Sequence, residues 1–335
     1  MVTIYQIAEV TGFSATTVSK VLNNYQDVSP KTRKKILETV EELGYLPNSH
    51  ARSLSTKKSW IIGVVFIESL GVGMKHPFFN AVIESFRKNV EAHGYDLLFA
   101  SRNISNKQKS YLEYFKYRGV DGVVIACSSD QDEQVQELIN SSIPSVVIDL
   151  NSDQSCVIYS DNYRGSQEAV QYLHSLGHRK IAHIAGHSST FAGQQRLNGY
   201  VEAMKTLQLS VPEGYITDGE YFSRDSGYKA MKNLLELEDP PTAVFAAADN
   251  LAIGAIAAIR EAGYDVPEDF SVIGFDDIDV SQMVYPSLTT IRQQTDLIGE
   301  KSGQLLIHQI NTGQKDVKRV VVPVELMIRN SCKTI

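Results

Sequence analysis

Six residues near the start of the chain, Ser14, Ala15, Thr16, Ser19, Lys20 and Asn23, are short, polar or cationic and share one face at helical spacing. Hydroxyl, amide and ammonium groups in that pattern suit the groove of a nucleic acid, where base edges present donors and acceptors. A second set is scattered along the chain beside expected strand ends and helix starts: Asp149, Arg196, Asp249, Asp276 and Gln293. Carboxylates, an amide and a guanidinium together hold a ligand rich in hydroxyls, with an apolar face offered to its ring. Phe66, Phe79 and Phe191 are candidates for that face, although rings beside strands more often fill a core. A carboxylate before a helix or turn also caps backbone amides, so both roles stand open for Asp249. Asp276 is the better ligand contact, because Asp277 is available to cap.

Signals for enzymatic chemistry are poor. Gly71-Val72-Gly73 follows an expected strand, but His76 stands where a dinucleotide fingerprint needs its third glycine. Neither a P-loop nor a nucleophile elbow occurs. His174 and His178 lie one turn apart without a third ligand, so neither a metal site nor a cofactor is expected.

The elements that position these residues can be read next. Thr3 and Gln6 have the spacing of a capping box, Ile4, Ile7 and Ala8 form one stripe, and Gly12 ends the first helix. Ser14 caps a second helix, Ala15 to Leu22, with Val18, Val21 and Leu22 inward. A third follows Ser29 and Pro30 and stops at Gly44. Three short helices with a tight turn between the first two form a helix-turn-helix headpiece, residues 1–46.

From Trp60 short apolar runs alternate with amphipathic stretches. Runs at 61–67, 95–100, 122–127 and 145–149 read as buried strands separated by helices. A second series runs from Asn162 through strands at 181–185, 215–219, 243–247 and 271–275. This alternation predicts an α/β body of parallel sheets in two lobes, with a ligand at the carboxyl ends of the strands. The expected bounds are a linker at 47–59, a first lobe of 60–161 with 292–335, and a second lobe of 162–291. The tail, a helix at 294–310 and a strand at 320–327, is expected to return to the first lobe.

Charge divides with this organisation. The net charge is −7, yet residues 1–59 hold eight Lys or Arg against five acids, giving +3 and leaving −10 for the rest. A basic head on an acidic body fits contact with phosphate at one end only. Three dispersed cysteines support neither a disulfide framework nor a zinc site and suit a reducing cytoplasm. No apolar run is long enough for a membrane span, and the amino end has no export leader.

These motifs resemble a known family. TIYQIAEVTGFSATTVSKVLNN, VSPKTRKKILETVEELGYLPN and ARSL resemble the headpiece of the LacI/GalR bacterial repressors. SDN at Asp161, LGHRKIAHI, RLNGY at Arg196, PTAVFAAADNLAIG and VPEDFSVIGFDD before LTTI extend the likeness through the body. The resemblance implies a periplasmic-binding-protein-like body and a cytoplasmic, nucleoid-associated homodimer. It also implies palindromic operator DNA under small-molecule control, with a saccharide or sugar derivative as the effector the residues suit best. A purine or a phosphoprotein co-regulator is the alternative. By the same resemblance Ala15, Thr16 and Lys20 read bases, while Ser14, Ser19 and Asn23 hold phosphate or sugar. Arg196 and Asp276 match recurrent effector contacts, and Asp149 and Gln293 match positions used by sugar-responding members. Three departures stand out: Lys20 in place of a frequent arginine, a longer segment at 68–75, and no apolar heptad tail for tetramerisation. A sugar-binding protein without DNA function and an enzyme on an α/β scaffold are the competing classes.

The linker carries a sharper expectation. Residues 48–54 have two helical turns' worth of chain with Ala51 and Leu54 on one side, too little for a stable isolated helix in water. Folding on DNA follows, with Ala51, Arg52 and Leu54 at the duplex; by the resemblance Leu54 is a wedge in a minor-groove step. Leu54→Ala is expected to weaken operator binding far more than non-operator binding in a gel-shift titration. Equal losses on both duplexes would count against the wedge.

Overall fold

Thr3, Ser14 and Ser29 each start a helix by giving a hydroxyl to an otherwise unpaired backbone amide. In the computed structural model, which describes residues 2–23, 25–46, 53, 56, 58–66, 74, 76–101, 103–104, 107–126, 132–220 and 222–335, α1 spans Ile4–Thr11, α2 Ala15–Leu22 and α3 Pro30–Glu42. The box at Thr3 is reciprocal: its backbone amide donates to the Gln6 side chain at 2.8 Å and its hydroxyl accepts from Gln6 N at 3.4 Å. Ser14 Oγ accepts from Thr17 N at 3.1 Å, and Ser29 Oγ from Thr32 N at 3.2 Å. Gly12 turns the chain out of α1 at φ 75°, where a Cβ would be strained. Ile7, Val18, Val21 and Ile36 form the buried centre of this unit, flanked by Phe13, Leu22 and Val40. Met1–Trp60 and Ile61–Ile335 are two separate compact units.

The second unit is an α/β body. Its first series is β1 Ile61–Phe66, α4 Pro77–Glu91, β2 Asp96–Phe99, the short pair β3 Asn103–Ile104 and β4 Lys107–Gln108, α5 Tyr111–Arg118, β5 Gly122–Ala126, α6 Glu133–Ile139, β6 Ser145–Ile148 and β7 Cys156–Ser160. The second is α7 Asn162–Ser175, β8 Ile181–Ala185, α8 Phe191–Thr206, β9 Ile216–Asp218, α9 Arg224–Leu235, β10 Ala243–Ala246, α10 Asp249–Glu261, β11 Ser271–Asp276, the single turn α11 Val280–Met283 and β12 Thr289–Gln293. The tail adds α12 Thr295–Thr312, β13 Arg319–Val322 and β14 Val324–Met327.

Two six-stranded sheets result, ordered β13-β7-β6-β5-β1-β2 and β14-β12-β11-β10-β8-β9. All pairs are parallel except β12 with β14. Strands covered on both faces read as near-continuous apolar runs, as Gly-Val-Val-Ile-Ala in β5 does. In the second sheet the faces are easily separated. Ala182, Ile184, Val244, Ala246 and Val272 point to α9 and α10, while Ile181, Phe245, Ile273 and Phe275 point to α7 and α8.

Two sequence expectations are corrected. β7 was not anticipated: its apolar run is only four residues, Cys156 to Tyr159, and lies inside a polar stretch, so it does not separate from loop by periodicity. The expected strand 320–327 is two strands in different sheets, divided at Pro323, whose missing N–H interrupts a ladder. Only β13 joins the first sheet. β14 pairs with β12, Val272 N donates to Ser331 O at 2.8 Å, and Ile335 N donates to Leu176 O at 2.9 Å. Residues 292–293 and 324–335 therefore lie with the second sheet rather than the first. The chain passes between the sheets three times, after β7, β12 and β13.

Helices α9 and α10 approach closely at Gly254. A Cβ there would meet Arg224 O at 2.0 Å and Tyr228 N at 2.7 Å, both backbone atoms that cannot rotate away. Gly254→Ala is expected to cost about 1–3 kcal/mol through forced separation of the helices. A urea denaturation series checks this: a lowered midpoint at unchanged slope is expected, and an unchanged midpoint would show that the two helices slip apart freely.

Candidate nucleic-acid interface and ligand cleft

On α2 the expected face is outward. Val18 and Val21 are buried, Ser14 and Thr16 are exposed, and Ala15, Ser19, Lys20 and Asn23 are half-buried. Not all of these groups are idle. Ser14 is the helix cap, Asn23 Nδ2 donates to Ser19 O at 2.9 Å and Ser19 Oγ at 3.3 Å, and Lys20 Nζ donates to Asp27. Ala51, Arg52 and Leu54 lie outside the described residues, as does the Gly71-Val72-Gly73 segment.

In the body, the anchor is Arg196 on the second turn of α8, only 3% exposed. Burying a guanidinium demands partners for its charge and its fixed fork of donors. Nε donates to Asn162 Oδ1 at 2.8 Å and Nη1 to the Ala247 carbonyl at 2.6 Å, with Asp276 Oδ1 3.5 Å from Nη1. The Phe275 ring lies 3.8 Å from the guanidinium carbon, a cation–π contact. Phe222 stands 6.0 Å away, at φ 60°.

The other expected residues converge here. Gln293 Nε2 donates to Asp276 Oδ1 at 2.6 Å, and Asn162 Nδ2 to Asp149 Oδ1 at 3.4 Å. Asp149 and Asp276 take left-handed backbone conformations, φ 54° and 120°, each where its strand gives way to a turn. Burial raises the Asp149 carboxyl above its usual range, against the pull of Arg196 and Asn162. Asp149, Asp276 and Gln293 sit at the carboxyl ends of their strands, where open α/β sheets bind ligands. A cavity of about 290 Å³ opens between Pro77, Phe78 and Ala81 of α4 and the Asp276–Val280 turn, with Gln293 and Thr295 on its wall. Among the described residues, His76 Nδ1, Gln293 Oε1 and Ser160 Oγ are buried polar atoms with no hydrogen-bond partner.

Sequence reasoning missed three contributors. Asn162, in the SDN motif at the first crossing, bridges Arg196 to Asp149. His76, immediately before α4, has its ring 5.1 Å from Phe79, and burial with the Arg196 charge pushes its pKa down to about 4. It is therefore neutral and can accept or donate one hydrogen bond. Phe222 follows a short strand and has no distinguishing pattern. Of the expected aromatics, Phe66 and Phe79 pack edge to face at 6.0 Å, and Phe191 meets Tyr159 of β7 at 4.8 Å.

Two further expectations are corrected. Asp249 does not cap its own helix. It is fully buried as the first residue of α10, and Oδ2 accepts from Ile278 N at 2.9 Å and Ser281 Oγ at 2.6 Å, while Thr290 Oγ1 reaches Oδ1. Its oxygens are used in stapling the β11–α11 turn to β12, leaving none for the cleft. Asp277 caps nothing. It is held between Arg292 Nε at 2.7 Å and Arg329 Nη2 at 2.6 Å. His178 is structural too, bonded to Thr242 and Ser271 hydroxyls at 2.9 Å each, and no metal-binding cluster occurs among the described residues.

A helix-turn-helix unit followed by a two-sheet α/β body with a polar cleft defines a ligand-responsive DNA-binding regulator. Known proteins agree. Residues 3–48 match the family described as bacterial regulatory proteins, lacI family, and residues 170–332 match the periplasmic binding protein-like domain. The chain is 35% identical to the HTH-type transcriptional repressor PurR of Mannheimia succiniciproducens, over all of both chains. It is 37% identical to the probable HTH-type transcriptional repressor ExuR of Bacillus subtilis over 99% of each. Among solved structures, the lac repressor dimer bound to operator and the anti-inducer ONPF superposes with a TM-score of 0.82 at 30% identity over 99% of each chain. The transcriptional regulator CelR–cellobiose complex does so with 0.72, also at 30% identity, over 99% of this chain and 100% of that one. The chain belongs to the lacI family of bacterial regulatory proteins, DNA-binding transcriptional repressors and not enzymes.

The buried carboxyls predict a pH dependence. Burial, reinforced by the neighbouring Asp276 charge, lifts Asp249 from 3.8 to about 8, and burial lifts Asp276 to about 6 against the pull of Arg196. Burial and the neighbouring Asp276 charge both favour the neutral form of Asp249, so we assign it the proton. A carboxyl raised on folding binds more protons folded than unfolded, so its stabilising effect is complete below pH 3.8 and is lost as pH rises through about 8. Denaturant titrations between these limits should show stability falling with pH, by at most about 1.4 kcal/mol per pH unit for one proton. Asp249→Asn keeps an acceptor for Ile278 and Ser281 and gives Thr290 a donor, so it should flatten that slope. Parallel curves for the two proteins would reject the assignment.

Proposed function

We propose that the protein is a homodimeric repressor of carbohydrate-metabolism genes, acting at the nucleoid in the bacterial cytoplasm on palindromic operators. In this reading Ala15, Thr16 and Lys20 contact base edges, and Ser14, Ser19 and Asn23 contact phosphate or sugar. The effector lobes are residues 61–160 with 295–322 and residues 162–293 with 324–335. A saccharide or sugar derivative occupies the cleft between them, touching Asp149, Arg196, Asp276 and Gln293, with Phe66, Phe79 and Phe191 bordering the site. A linker at 47–59 joins head to body, and its Ala51, Arg52 and Leu54 engage the operator.

The observation that carries the effector class is the Arg196–Asn162–Asp149–Asp276–Gln293 cluster. Its carboxylates accept from ligand hydroxyls, and the unpartnered His76 Nδ1 and Gln293 Oε1 offer further polar contacts at the same cleft. The CelR–cellobiose complex and a ribose-bound LacI family regulator from Enterococcus faecium, TM-score 0.70 at 28% identity over 82% of this chain and 99% of that one, point the same way. Occupancy shifts the balance between DNA-competent and incompetent forms only by the ligand's difference in affinity for them. Lobe rotation is the natural motion for such a hinge.

A thermal-shift screen over neutral sugars, sugar acids, sugar phosphates and purines tests the effector class. A ligand at about 100-fold its Kd should stabilise the body by about 2.7 kcal/mol. Asp276→Asn should weaken the saccharide that scores by about 10- to 100-fold, the usual cost of a lost hydrogen bond to a charge. A hit confined to purines, or one untouched by Asp276→Asn, would overturn the saccharide assignment.

A further inference from the structure

Lys20 lies on the outward face of α2, yet its ammonium is already bonded to the Asp27 carboxylate, in the loop between α2 and α3. That loop is tied down on both sides. Asn23 N donates to Ser19 O and Tyr25 N to Lys20 O, each at 3.0 Å, and the Arg33 guanidinium of α3 donates to Tyr25 O and, at 3.5 Å, to Val21 O. Asp27 follows Tyr25 by two residues and precedes the Ser29 cap of α3 by two. Its position relative to Lys20 is thus constrained by backbone bonds at the α2 end of the loop and by the Arg33 guanidinium of α3 on the Tyr25 carbonyl. The pair lies at the surface, 43% and 55% exposed, so an incoming groove can exchange one partner for another. The ammonium holds the Asp27 carboxyl below its ordinary range, so it stays ionised.

We infer that Asp27 is a positioning residue for DNA reading, which keeps Lys20 neutralised on arbitrary sequence and releases it only where a base acceptor replaces the carboxylate. This rests on the reading of Lys20 as a base-contacting residue. A free lysine at a groove adds affinity to every sequence, because it displaces a condensed counterion wherever phosphate lies near. A lysine held by an aspartate gains little from such a phosphate, since one charged acceptor is merely exchanged for another and a carboxylate is pressed toward the backbone. A guanine edge offers two convergent acceptors and brings no second anion against Asp27, so the ammonium can turn to it without that repulsion and the contact becomes conditional on sequence. Asp27 therefore lowers affinity in general and raises the ratio between operator and other DNA.

The test uses full-length protein and two duplexes of equal length: the sequence best enriched by the wild type from a random library, and its scramble. Fluorescence anisotropy over a potassium chloride series gives affinities and salt slopes for wild type, Asp27→Asn, Lys20→Gln and the double variant. Asp27→Asn should bind the scramble about two- to fivefold more tightly, the range for an exposed ion pair, with a salt slope steeper by about one ion. The enriched sequence should gain less, so the ratio between the duplexes falls. In the Lys20→Gln background the Asp27→Asn change should no longer alter that ratio. Equal gains on both duplexes, or the same effect with and without Lys20, would mean that Asp27 acts only as a general negative charge and would overturn the inference alone. A Lys20→Gln protein that enriches the same sequence with the same ratio would remove the base-contact reading itself.

Discussion

A guanidinium sealed from water is the constraint around which the body is organised. Arg196 cannot sit 3% exposed without acceptors, and it draws them from separate parts of the fold: Asn162 from the start of α7, the Ala247 carbonyl from the end of β10, and Asp276 from the end of β11. Desolvation works against its charge, and the surrounding Asp276 and Asp149 carboxylates restore it. Because Asn162 also holds Asp149 at the end of β6, and Gln293 holds Asp276, one arginine organises residues from both sheets. Removing it would leave several polar groups without partners in a poorly hydrated place.

Two residues of this cluster, Asn162 and Gln293, lie at passages between the sheets. Ser160 and Asn162 flank the first crossing, and Gln293 and Thr295 flank the second, with Gln293 on the wall of the cavity. The polar cluster thus sits where the chain crosses from one sheet to the other. The surrounding frame is stiffened by other buried carboxyl groups: Asp277 between Arg292 and Arg329, and Asp249 across the base of the β11–α11 turn. In the sequence Asp249 reads as either a cap or a ligand contact and Asp277 as a cap, and in the fold both keep the rim of the cleft in place.

Local rules made the headpiece legible almost residue by residue. Its three caps, Gly12, and the inward Val18 and Val21 depend on neighbours within four positions, so reading along the chain suffices. The βα alternation of the body was legible for a similar reason, since parallel strands buried on both faces leave continuous apolar runs. Legibility failed where a residue's surroundings come from far away in the chain. Asp249 and Asp276 both follow apolar strands and precede a turn or helix, and nothing local separates the carboxylate that staples Thr290 and Ser281 from the one that faces the cleft. Asn162 and His76 were overlooked because their roles exist only relative to Arg196.

Composition, spacing and capping thus determined, from the amino-acid sequence by itself, a DNA-reading headpiece, a two-sheet ligand-binding body and most of the polar residues available to it. Tertiary structure alone decided which carboxylates are spent on the frame and that the segment after Pro323 returns to the second sheet. The physical reason is range: backbone propensity and hydrophobic period act over a turn or a strand, whereas buried charges and hydrogen-bond partners are chosen by contacts tens to hundreds of residues apart.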